Sequence, residues 1–117
     1  MKLTVKRDQS DIKGFFGGHK GVSFKLHYKC DIEPAERLLI EKYKIGEDII
    51  ESFESGTGDN KYKINITVNH LTRGNFEQTR NLGDLQSLEE KVVRACQQLK
   101  LALKVMSTFG GEETYEI

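Results

Sequence analysis

With 117 residues, 18 basic and 18 acidic side chains and 37% hydrophobic residues, the chain has the size and composition of one domain spanning 1–117. Zero net charge excludes the strong overall field of a general polyanion binder, and only two cysteines exclude a disulfide scaffold. No stretch reaches the roughly 18 consecutive apolar residues needed to span a membrane, and Met-Lys-Leu-Thr-Val-Lys-Arg-Asp is not a secretory signal. The expectation is therefore a reduced, cytoplasmic protein without a membrane partner.

The first predicted element is a half-buried strand, in which Leu3 and Val5 alternate with Lys2, Thr4 and Lys6. From Asp8 to Gly21 the alternation lapses, and Gly14, Gly17, Gly18 and Gly21 predict a loop or wide hairpin turn. Val22, Phe24, Leu26, Tyr28 and Cys30 then alternate with Ser23, Lys25, His27 and Lys29, the cleanest strand in the chain. Pro34 suits a first helical turn, Ala35, Leu38, Leu39 and Tyr43 supply an apolar face, and Gly46 reads as the stop. Ile49, Ile50 and Phe53 suggest a short strand, followed by a turn from Ser55 to Asn60. Tyr62, Ile64, Ile66 and Val68 predict the next strand, and Arg73-Gly74-Asn75 a turn into a weaker one from Phe76 to Arg80.

The strongest signal is a helix from about Asp84 to Phe109. Leu85, Leu88, Val92, Ala95, Leu99, Ala102, Met106 and Phe109 recur at steps of three and four, and Cys96 and Leu103 widen the stripe. Asp84 is placed to cap it and Leu82 to staple onto Leu88. Gly110-Gly111 release the chain, and Thr114–Ile117 could form a final short strand. Such a helix is about 39 Å long and crosses the whole of a compact domain of this size, whose radius of gyration is near 13 Å. The expected fold is α+β: a two-layer sandwich in which a mainly antiparallel sheet of about five to six strands packs on one long C-terminal helix plus one short helix. The approximate order is β-β-α-β-β-β-α-β.

Functional signals are sparse. The segment Lys13–Gly21 combines four glycines with Phe15, Phe16, His19 and Lys20, and reads either as a bulged hairpin or as a loop that offers an aromatic ring to a partner. It has neither phosphate-loop spacing nor a following helix. Lys25, His27 and Lys29, with Lys61 and Lys63, are placed to form a basic sheet face able to bind anions, but without the stacking aromatics of single-strand readers. Lysines on exposed strands equally discourage aggregation. Val93, Leu101 and Val105 lie off the main stripe of the long helix and suggest an oligomer face, that of a homodimer.

His19, His27 and His70 are scattered, and no spacing typical of a metal site, a cofactor loop or a catalytic constellation accompanies them. Cys30 and Cys96 both fall on apolar faces and read as buried free thiols, the alternative being a bridge or redox pair. Charge is segregated: residues 1–30 carry +5, residues 31–60 carry −6 and residues 61–117 carry +1, a pattern compatible with head-to-tail association. The expected function is that of a small non-catalytic interaction or assembly module, binding a protein partner or itself. The alternative is binding of nucleic acid or another anionic ligand on the lysine-rich face, with a small enzyme as a third reading.

Overall fold

The computed structural model describes residues 1–13, 19–55, 61–79 and 82–117. Its elements, in chain order, are β1 (Lys2–Lys13), β2 (His19–Asp31), α1 (Pro34–Tyr43), β3 (Glu51–Ser55), β4 (Tyr62–Ile66), α2 (Val68–Thr72), β5 (Arg73–Thr79) and α3 (Leu82–Thr108). The class is α+β, as expected, but the described strands form two antiparallel sheets. One has the order β1-β2-β5, and the other is the hairpin β3-β4.

Period-two alternation fixes the first sheet. Leu3 lies opposite Cys30 and Val5 opposite Tyr28, on the face turned to α3, while Thr4 opposes Lys29 and Lys6 opposes His27 on the outer face. The same ladder continues through Gln9–Phe24 and Asp11–Val22, so the predicted loop after Asp8 is strand as far as Lys13. Asp8, Gln9, Ser10 and Asp11 are polar on both faces, which leaves no alternation to read in the sequence; backbone pairing with β2 decides the conformation. β5 begins at Arg73 rather than Phe76, because Arg73 and Gly74 pair with Lys29 and Tyr28.

α3 presents Leu85, Leu88, Val92, Ala95, Cys96, Leu99 and Leu103 to the interior. They meet Leu26, Tyr28 and Cys30 of β2, Phe53 of β3, Ile66 of β4 and Leu71 of α2 in one cluster. Each large apolar side chain buried in this way contributes about 1.5–3 kcal/mol. The helix start differs from the expectation. Helix begins at Leu82, Leu82 is exposed instead of stapled, and the Asp84 carboxylate accepts a hydrogen bond from Ser55 Oγ. At the other end Phe109 lies beyond the helix and is 84% exposed, so the apolar stripe leaves the core before its predicted end.

Between the two sheets the chain makes close connections. The left-handed residue closing α1 is Lys44, not Gly46. Gly46, also at positive φ, is buried where the loop touches Val68 of α2. Val68 belongs to α2 and not to the preceding strand; the turn is held by Leu71 N–H donating to the Thr67 carbonyl and His70 Nδ1 donating to that of Asn65 at 2.6 Å. Glu51 ties β3 to α3, with Lys91 and Arg94 at 3.7 and 3.6 Å from one carboxylate oxygen and Gln98 Nε2 at 3.3 Å from the other.

The molecule is longer than a compact domain, with a radius of gyration of 18.9 Å and extents of 71 × 31 × 26 Å. Part of the reason is that β1 and β2 run beyond their partner β5, whose pairing with β2 reaches only from Phe24 to Lys29. The expected final strand at Thr114–Ile117 is absent; residues 109–117 leave the helix end fully exposed.

Candidate functional site

The outer face of the β1-β2-β5 sheet is covered by no other element among the described residues. The strand parity that sends Leu3, Val5, Leu26 and Tyr28 inward sends Lys2, Thr4, Lys6, Lys25, His27 and Lys29 outward, and the β2–β5 register adds Arg73 beside Lys29. Thr4, Lys6, His27, Lys29, Arg73 and Gly74 line an open cleft of about 440 Å³. Its positive charge is partly neutralised. Asp8 lies 3.2 Å from His27 Nε2 and 3.9 Å from Lys6 Nζ, and Asp31 lies 3.4 Å from Lys29 Nζ. Arg73 has no ion pair among the described residues, and the sequence hides it, because Arg73-Gly74-Asn75 has the composition of a turn.

The predicted anion-binding set therefore divides. Lys25, His27 and Lys29 share this face, whereas Lys61 precedes β4 and Lys63 lies within it, in the separate β3-β4 sheet. Lys61 is moreover ion-paired with Glu54. A single lysine platform across all these strands is not formed, since the alternation of each strand defines its own two faces but not which strands share a sheet.

Phe15 and Phe16 of the predicted partner loop lie outside the described residues, and of His19 and Lys20 only the backbone, at the start of β2, lies within them. On α3, Leu101 is 62% and Val105 44% exposed, four residues apart, while Val93 is half-buried toward the other end of the helix. Phe109, beyond the end of α3, is exposed as well. A second opening of about 480 Å³ lies where the start of α3 meets the first hairpin, between Arg7, Phe24, Leu82 and Glu89. There Arg7 Nη2 reaches the buried Oε1 of Glu89 at 2.6 Å, and the carboxylate raises the Arg7 pKa further.

Cys30 and Cys96 are free, buried and in mutual contact across β2 and α3. Burial pushes both thiols up, Cys96 to about 12, and the neighbouring sulfur adds to the Cys96 shift. Native protein is therefore expected to react with iodoacetamide only through opening of the core, so that alkylation monitored by mass should be far slower than that of a free thiol. Because the folded pKa values lie above the unfolded ones, the neutral thiols stabilise the fold fully below about pH 8.5, and that contribution is lost as pH rises toward the folded values. Denaturant titrations at increasing alkaline pH should show the decline, weakened in a Cys96→Ala variant.

Among the described residues no three His, Cys, Asp or Glu side chains come together as metal ligands, and no helix is long and apolar enough to cross a membrane. Comparison with protein-family models, curated proteins and solved structures finds no match to this chain.

Proposed function

We propose that the protein is a small non-catalytic interaction module that works by binding a protein partner or a second copy of itself. One observation carries the reading. Among the described residues the interior holds no buried polar or charged residue, and of the apolar side chains left exposed, which include Leu38, Ile50 and Leu82, only Leu101 and Val105 are spaced four apart on one side of a helix, near the end of α3. Exposed apolar residues that line up on one helix side, next to an exposed chain segment, suit association better than chemistry. Light scattering on wild type and on Leu101→Asp/Val105→Asp tests the self-association form. The wild type should exceed the monomer mass and the double variant should fall to it, with unchanged circular dichroism. Two monomers would remove this helix side as a contact between copies.

A second reading is favoured by Arg73 and its neighbours. Lys6, Lys29 and Arg73 around an open cleft could hold a phosphate-bearing ligand. Binding of a short single-stranded oligonucleotide should then weaken steeply with salt and again in Lys29→Glu/Arg73→Glu. Absence of binding at low salt would eliminate it.

A further inference from the structure

The last residues of the chain match an edge of its own sheet. β1 pairs on one side with β2, and among the described residues no strand pairs with its other side. Its outward residues there are Lys2, Thr4 and Lys6, and its inward ones Leu3 and Val5, all only half-buried or exposed. The exposed tail has the complementary alternation: Glu112, Thr114 and Glu116 on one side, and Glu113, Tyr115 and Ile117 on the other. Lys2, Glu112, Glu113 and Glu116 have no ion pair among the described residues. We propose that Glu112–Ile117 is a donor strand that pairs antiparallel with the open edge of β1 in a second copy of this chain. The proposal rests on the interaction-module reading and names the partner.

Register and charge select one arrangement. With Thr114 opposite Thr4, Glu116 falls opposite Lys2, Glu112 opposite Lys6 and Tyr115 opposite Leu3. Both carboxylates then meet both lysines on the outer face, and the tyrosine ring covers half-buried Leu3 on the inner one. Glu113 falls opposite Val5, with Arg7 as its diagonal neighbour on the same face. Antiparallel shifts by two residues keep the faces but lose at least one of the two charge pairs. A shift by one puts Tyr115 on the charged face.

Direction selects the second copy. β1 runs antiparallel to α3: Arg7 reaches Glu89 near the helix start, while Met1 sits beside Glu36, whose carboxylate feels Lys100 toward the helix end. A tail antiparallel to β1 must begin at the level of Lys6, close to that of Glu89. Thr108 lies about 28 Å further along the helix axis, and the four steps from Thr108 to Glu112 span at most about 14 Å. The chain's own tail does not reach this register, and another molecule's tail does. Gly110 and Gly111, both at positive φ with open space around them, end the helical path ahead of the exposed tail.

Light scattering and sedimentation on wild type, Lys2→Glu/Lys6→Glu and Glu112→Lys/Glu116→Lys test the pairing, with circular dichroism as the control for folding. Each double variant places like charges opposite one another and should associate about tenfold more weakly or worse. An equimolar mixture of the two variants should associate again, since each tail then faces an edge of opposite charge. Association insensitive to both variants, yet lost in Leu101→Asp/Val105→Asp, overturns the strand pairing and keeps the interaction module. A mixture that stays monomeric overturns the pairing in trans. A monomeric wild type that binds polyphosphate through Lys2 and Lys6 overturns it in favour of an anion site.

Discussion

Replacing Leu99 with alanine should lower stability by about 2–5 kcal/mol, whereas Leu101→Ala, two positions further on, should change it by less than about 0.5 kcal/mol. Leu99 is 0% exposed in the centre of the cluster joining both sheets, and Leu101 is 62% exposed on the far side of the same helix. Loss of the Leu99 side chain leaves a cavity between elements fixed by their own backbone hydrogen bonds, so little collapse can fill it. Against the roughly 5–15 kcal/mol typical of a folded domain, this is a large share. Val92→Asp should be more severe, because Val92 is equally buried and no polar or charged residue is buried among the described residues to pair the carboxylate. Urea titrations of the three variants measure the phase of α3 directly. A destabilising Leu101→Ala beside a harmless Leu99→Ala would reverse the helix and refute the packing. The same contrast makes Leu101→Asp usable as a probe of association, since it should alter contacts between molecules without altering the fold.

Gly46→Ala should cost more than an ordinary glycine substitution, because two separate terms oppose it. A Cβ at this position would lie 1.9 Å from Val68 Cγ2, and φ is +97°. The steric term, about 1–3 kcal/mol for overpacking, should be relieved in a Val68→Ala background. The backbone term, of order 1–3 kcal/mol for a non-glycine residue held at a sparsely populated positive φ, should persist there. Gly74 provides the control. A Cβ there would come within 2.3 Å of the Tyr28 ring, but its backbone is not at positive φ. Gly74→Ala should therefore be rescued by Tyr28→Leu relative to the sum of the single changes, with no backbone remainder. If Gly46→Ala is neutral, the close approach of the α1–β3 connection to α2 is wrong.

The two glycines also show where reading the sequence stops. Gly46 was legible as punctuation after a helix, and Gly74 as part of a turn, because glycine composition marks a break in pattern. Its actual use in both cases is room for a side chain from a distant segment, Val68 or Tyr28, which no local pattern encodes. The same turn-like composition hides Arg73, and with it one cation of the outer face. Conversely the surplus apolar residues Leu101 and Val105 were legible as off-stripe positions, since helical phase needs only sequence spacing.

Local periodicity determined the identity of the main elements and their inner faces: the α3 stripe from Leu85 to Leu99, the β2 alternation from Val22 to Cys30, and the pairing of apolar strand faces with a covering helix. Those signals arise from repeats of 3.6 and 2.0 residues, and they exist before the chain folds. Tertiary structure alone decided that the strands divide into two sheets, that Lys61 and Lys63 are separated from Lys25 and Lys29, that Cys30 meets Cys96, and that the segment from polar Asp8–Asp11 to Lys13 remains strand. Each of these depends on hydrogen bonding or packing between residues far apart in the chain, where the free energy belongs to the pair and neither partner's neighbours carry a trace of it.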